Sequence, residues 1–379
     1  MAEARKWSEL PGELLQKIAK FLTLYADYIR VRAVCVSWQS AIPKTPNHLP
    51  RQFPLLMLPY NPESDTRVQF FSLAEKKTYR LDIPFEIHRK FLRGSCHGWL
   101  VTVEDTPSVG LFNPFTKVHI ELPSFSEFVY HFQGSDSLSK LVLSSSPSSS
   151  DFMAIAILGY SFRLAFCRCR DKRWTAVKER DFSYVDLSSS YSDVIFYKEK
   201  IVAVKTDGEV IIMDVIGSHG NSTPEVKLKQ ILRPPDSVRL HFDLSLVESN
   251  DDLLIISRPV TLDDNHDYRT IGFAVYKLDF STNSSGAIDA EWSEVTSLGD
   301  RMLFLGLDPS SSFLASDFPG CKGNCIYFTD QNWHDILEGA RKEFEFSLFD
   351  MDDRRIKPLP SYPRGLPWPP SIWVTPTPI

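Results

Sequence analysis

From residue 53 onward the chain repeats one unit: an apolar strand, a short polar turn, and a second strand that often ends in Leu-Pro or carries a Trp. The instances are Val68–Pro84, Val109–Pro123, Phe162–Lys178, Glu209–Leu232, Phe273–Leu298 and Phe344–Pro360. Period-two alternation with many β-branched and aromatic residues predicts strand pairs, not helices. Trp174 and Trp292 stand at matching places in two of the units, which speaks for true repetition. Other strands are expected between the pairs, around residues 98–103, 152–158, 194–205, 253–259 and 325–329. Two hairpins for every roughly 40–70 residues is the signature of propeller blades. The expectation is a mainly β chain, a β-propeller of about six blades. Its C-terminal strand, in Ser371–Thr375, should pair with the first blade and close the ring, which removes open sheet edges.

Ahead of the repeat lies a different kind of sequence. Residues 8–42 are the only convincingly helical stretch. Pro11 suits the first turn of a helix and Glu13 favours its N-terminus. Leu14, Leu15, Ile18 and Leu22 are expected on one face. A second segment is expected to open at Asp27 as N-cap, with a seam of Tyr28, Val31, Cys35, Trp38 and Ile42 on one helix or two short ones. Prolines 43, 46, 50, 54, 59 and 62 then forbid helix and favour an extended connector. The expected division is therefore a helical unit over 5–43, a Pro-rich linker over 44–62 and the propeller over 63–379. A unit of about 40 residues cannot hide Leu10, Pro11, Leu14, Leu15, Ile18, Val34, Cys35 and Trp38 internally. Some of that surface should meet a partner, with Leu and Trp as buried anchors.

Charge and motif content narrow the function classes. The net charge is −6, against what a general nucleic-acid binder needs. No apolar run approaches the ~20 residues of a membrane span, and the N-terminus lacks the apolar core of a signal peptide. Six cysteines in 379 residues are not a disulfide scaffold, and a reducing compartment, nucleus and/or cytoplasm, is expected. The glycosylation patterns at Asn221 and Asn283 then carry no meaning. Cys321-x-x-x-Cys325 with His334, or Cys167-x-Cys169, lacks the paired spacing of a zinc site. No nucleophile elbow or HExxH motif occurs, so no catalytic, cofactor or metal residues are assigned. Asp263–Asp267 reads as a solvated acidic loop and Asp350–Arg355 as a hairpin turn with local charge pairing. The Ser-rich stretch around 144–150 reads as a loop, and the basic run Phe166–Trp174 as a solvent-facing strand ending in a turn.

Leu10-Pro11-x-Glu13-Leu14-Leu15-x-x-Ile18, followed by Arg32-x-Val34-Cys35-x-x-Trp38, resembles an F-box in order, spacing and position. Gln39 stands where many members have Arg or Lys. The resemblance implies a Skp-family adaptor as partner and, through it, a cullin-based ubiquitin ligase. It places Leu10, Pro11, Leu14, Leu15 and Ile18 at the adaptor interface. Val34, Cys35 and Trp38 would hold the helices together and partly contact the adaptor. The remainder is similar to the Kelch-like C-terminal domain of a large plant F-box family. The shared features are Gly94-x-x-x-Gly98-Trp99-Leu100, Leu111-Phe112-Asn113-Pro114-Phe115-Thr116 and the Leu122-Pro123 ending. The implied function is a non-catalytic substrate receptor whose propeller binds a target protein of unknown identity. Two alternatives remain at this level. One is a small-molecule sensor or enzyme built in the propeller channel; the other is an adaptor-binding regulator independent of cullin.

Overall fold

A computed structural model describes residues 7–377, apart from 62–64, 66, 89, 105–107, 126–137, 150, 160–162, 178–189, 217–224, 239, 242, 263–267, 283–287, 330–345 and 360–370. Three short helices, α1 (Gly12–Lys20), α2 (Tyr25–Arg32) and α3 (Val36–Ala41), precede six radially arranged sheets. The architecture is a six-bladed β-propeller. All six repeat units found in the sequence are the outer two strands of a blade, as with Arg67–Ser72 and Lys77–Asp82 in the first. The outermost strand of a blade is open to solvent, as Lys77–Asp82 is in the first, whereas strands nearer the axis are covered on both faces, as Val109–Phe112 is in the second. Met153–Leu158, for instance, is buried at every position.

The ring is closed as the sequence predicts. Ile372–Val374 pairs antiparallel with Leu55–Met57, register Leu55↔Val374 to Met57↔Ile372, and forms the innermost strand of the first blade. That pairing shortens the expected linker. Leu55–Met57 was assigned to the connector because of its flanking prolines, yet it is a strand whose three residues are all buried. Pro54 and Pro59 lie outside it, where no ladder amide is needed. The sixth blade also departs from the repeat: Arg301–Leu305 runs parallel to Cys325–Thr329, and Ser311–Leu314 is added on its inner side. The Asp263–Asp267 stretch lies outside the described residues.

One apolar cluster fills each of the six interfaces between neighbouring blades, and a seventh lies among the helices. The seam between the first, second and sixth blades is the tightest. Gly94 and Gly98 have φ of +103° and +78°, and a Cβ at Gly98 would stand 2.6 Å from Thr375 O. Glycine is needed here for both conformation and space. Gly98→Ala should therefore cost about 2–3 kcal/mol in denaturant unfolding, combining positive-φ strain with a backbone clash. Gly320→Ala has a similar φ of +87° but open space around it, and should cost only about 1 kcal/mol. Equal losses would mean that the seam does not require close approach.

Candidate functional site

Two surfaces qualify. The first is on the helices. Helix α1 is apolar on two sides, because Leu14 and Leu15 are adjacent and project about 100° apart. Leu15, Ala19 and Leu22 turn inward with Tyr28 and Ile42, and Leu15 is 1% exposed. Leu14, Ile18 and Phe21 turn outward at 47%, 42% and 85% exposure. The expectation of one face for Leu14, Leu15, Ile18 and Leu22 is corrected accordingly. Pro11 is exposed and Leu10 half-buried against the helical core.

The rest of the F-box-like motif divides in the same way. Val34, at 58% exposure, is outside the helical core cluster, and Val36 two residues on is 78% exposed. Cys35 is half-buried at the N-cap of α3, its Sγ 3.0 Å from Ser37 Oγ. Trp38 packs on the helical core and donates from Nε1 to Trp7 O at 3.0 Å. The structure thus leaves Pro11, Leu14, Ile18 and Val34 open to a partner, while Leu15 positions the helix that carries them. Phe21, Trp7 and Val36 enlarge the apolar surface. Phe21 was detectable as the i+3 continuation of Leu14 and Ile18, but neighbouring Leu22 drew the stripe inward.

The helices are fastened to the propeller. Asp27 is not the cap of α2, which begins two residues earlier at Tyr25. Gln52 Oε1, from the segment entering the first blade, accepts from Tyr25 N at 2.8 Å, and its Nε2 donates to Thr23 O and Pro50 O. A tertiary contact therefore caps the helix, and Asp27 instead accepts from Arg30 at 2.8 Å. Tyr25 also meets Phe115 edge-on, centroids 6.1 Å apart. Phe115 is held by a tight turn in which Asn113 Oδ1 accepts from the amides of Phe115 and Thr116.

The second surface is a central cavity of about 580 Å³ to which all six blades contribute. The segment Leu49–Gln52 forms part of its wall. Asp308 lies in it, 4% exposed, with Oδ1 accepting from Ser95 N at 2.5 Å and Oδ2 from Trp373 N at 2.6 Å. Burial pushes its carboxyl up to about 7, against the pull of those amides and of Lys140. Burial likewise lowers the pKa of His97, whose Nε2 is 3.3 Å from Leu143 O. A carboxyl and an imidazole with displaced pKa values would fit a channel-type active site. Both, however, are engaged by the backbone of neighbouring blades: each Asp308 oxygen faces an amide, and His97 spans to the third blade. Their geometry serves the frame.

The cysteine pairs behave as buried thiols. Burial pushes Cys325 up to about 12 and raises Cys321, and Cys325 Sγ donates to Lys322 O at 3.0 Å. His334 lies outside the described residues. Cys167 is buried in a strand that ends at Arg168, so Cys169 and Arg170 belong to the following turn. The charge pairing expected within Asp350–Arg355 comes instead from Lys322 and Lys357, both on Asp350 at 2.7 and 2.5 Å.

A family model, KIB1-4 β-propeller, matches residues 70–350. The chain belongs to the KIB1-4 β-propeller family. Its relatives extend the match over the helices as well. The F-box protein SKIP23 of Arabidopsis thaliana is 27% identical, covering 97% of this chain and 95% of its own. F-box protein At4g35733 of the same plant is 27% identical over 88% and 91%. F-box/kelch-repeat protein At1g57790 is 26% identical over 86% and 83%. A plant F-box protein with a propeller, the resemblance drawn from the motifs, agrees with these relatives. In this chain the Asn113-Pro114-Phe115 turn meets the helical module through the contact of Phe115 with Tyr25.

The Asp308 contact carries a pH dependence. Unfolded, this carboxyl titrates near the ordinary value of about 4; folded, at about 7. The folded state thus binds the proton more tightly, and the stability it contributes is full below about pH 4 and lost as pH rises through 7. Denaturant midpoints should fall between about pH 5 and 8 in the wild type and change less in Asp308→Asn. That variant should also lose about 1–3 kcal/mol at pH 5, because its amide nitrogen must face a backbone N–H. An identical slope in both proteins would assign the titration to another group.

Proposed function

We propose that this KIB1-4 family member is the substrate-recognition subunit of an SCF-type ubiquitin ligase. Its helices bind a Skp-family adaptor and, through it, a cullin; its propeller binds a target protein. The observation that carries this reading is the outward stripe of Leu14, Ile18 and Phe21, with Val34 and Val36 exposed on the same helical unit. The fold already buries a separate face of the same helix, so this apolar surface is not required for the helical core. The F-box names of the relatives support the same reading.

The protein performs no chemistry in this account. It raises the target's concentration near the ubiquitin-carrying enzyme, as linked binding modules do. A rigid hold between helices and propeller favours that role. The compartment proposed is nucleus and/or cytoplasm. Neither a nucleic acid nor a membrane is proposed as partner: no helix among the described residues is long and apolar enough to cross a membrane, and the net charge is −6.

The test is capture of the full chain on an immobilised Skp-family adaptor. Leu14→Ala with Ile18→Ala should weaken capture by about 2–4 kcal/mol, enough to lose retention of a moderately tight complex. Because both side chains are outward, thermal unfolding of the free protein should barely move. Leu15→Ala should instead destabilise the helical unit by about 2–5 kcal/mol. Wild-type protein that fails to bind any adaptor would overturn the proposal. Binding of the adaptor without co-purification of a cullin would favour the cullin-independent regulator.

A further inference from the structure

The central cavity contains a cation whose donors are unused. Arg51 enters its wall from the segment before the first blade, and its guanidinium carbon stands 4.0 Å from the centre of the Phe313 ring. Stacking of this kind fixes the plane of the group and leaves its N–H edge free. Among the described residues Arg51 has no hydrogen bond or ion pair. Burial lowers its pKa, opposed only by the field of Asp317.

Close in sequence to Phe313, Ser310 lines the same cavity, and its buried hydroxyl has no partner. The carboxylates on the wall do not neutralise Arg51. Asp308 is taken by two amides, and Glu248 makes no ion pair with Arg51 within 4.0 Å. Arg51 is exposed towards the cavity, and a planar fork in a wall that also carries an unsatisfied hydroxyl matches a carboxylate, which is itself planar and accepts two parallel N–H bonds.

The cavity also has an outlet. A second open cavity of about 450 Å³, between the third and fourth blades, shares Ser144 and Phe196 with the central one. Together they exceed the roughly 300–1,000 Å³ that holds a small ligand. Two adjoining open cavities with common wall residues suit an extended chain better than a compact molecule. Arg168 and Lys198 line the second cavity together with Asp151 and Glu199, so its walls impose no single sign of charge on the flanking residues.

We propose that the central cavity recognises an Asp or Glu side chain on an extended segment of the target protein, through Arg51 and Ser310. The segment continues into the second cavity, between the third and fourth blades. This rests on the reading of the propeller as target receptor and names the chemistry that it selects.

The test uses the immobilised full chain and four pools of nine-residue peptides. Each pool is randomised except at its central position, which is fixed as Glu, Gln, phosphoserine or Lys. Retained peptide is weighed by mass spectrometry. The Glu pool should be retained about tenfold over the Gln, Lys and phosphoserine pools. Arg51→Gln should reduce it to the Gln level with unchanged thermal unfolding, and Arg51→Lys should restore only part, since an ammonium lacks the fork. Equal retention of Glu and Gln pools, or a preference unmoved by Arg51→Gln, overturns the proposal. Retention of the phosphoserine pool above Glu overturns the carboxylate assignment in favour of phosphate. Adaptor capture by the same samples is read separately. Lost capture with an intact Glu preference sinks the ligase reading alone, and the reverse result sinks the cavity proposal alone.

Discussion

The carboxyl group of Asp308 is the contact on which the ring depends. The innermost strand of every blade is a sheet edge, and its outward amides need acceptors that no further strand provides. At the closing seam Asp308 reaches from the sixth blade to Ser95 N in the second and Trp373 N in the first. One side chain thereby joins three blades. Only an acid offers acceptors on both oxygens; an amide side chain would present a donor to one of the two N–H groups. The closing strand is three residues long and cannot be secured by its ladder alone. Ser95 Oγ, donating to Trp373 O, and Trp373 Nε1, donating to Leu305 O, add to the same point.

The same solution recurs around the channel with other residues. Ser192 Oγ donates to Leu244 O and accepts from Leu244 N, and Asp193 Oδ2 accepts from Leu246 N, so the fourth blade satisfies the edge of the fifth. The buried Lys140 of the third blade reaches Asp193 at 2.5 Å. Ser249 and Ser312 link the fifth blade to the sixth at 2.7 Å. Apolar clusters between the blades supply most of the burial, but burial is non-directional. These polar contacts fix which inner strand lies at which height against its neighbour.

How much of this was legible in the sequence follows from which surfaces alternate. The outer hairpins are readable because a buried strand such as Val109–Phe112 is followed by a short polar turn and a partly exposed strand such as His119–Leu122. Inner strands such as Met153–Leu158 are continuous apolar runs, and a strand as short as Leu55–Met57 was hidden between prolines. The added strand Ser311–Leu314 in the sixth blade has no counterpart in the other five units, so a repeat search passes over it. The N-terminus of α2 was misplaced because its cap, Gln52, lies 27 residues from Tyr25, and a cap supplied by tertiary contact leaves no local signal. In the candidate sites the F-box-like motif was legible, yet the motif does not say which of Leu14 and Leu15 faces out. Arg51 gave no sequence signal at all, since its role comes from stacking on Phe313, 262 positions later.

Gln52 and Arg51 are neighbours, and that adjacency bears on mechanism. Gln52 fastens the segment to the N-terminus of α2, while Arg51 stands in the wall of the central cavity. His48, three residues earlier, meets Ala19 O at 2.9 Å, and its ring packs on Tyr28. The segment rich in proline is thus bonded at both ends, to the helices and to the blades. A freely jointed connector of this length would let the two binding surfaces sample many separations, and the effective concentration of one at the other would fall accordingly. Bonding the connector at both ends sets one separation. For the receptor role proposed above, in which a target is placed near an enzyme, a single separation is the property that the intervening residues must supply. Prolines with a few side-chain hydrogen bonds supply it without a helix or a strand.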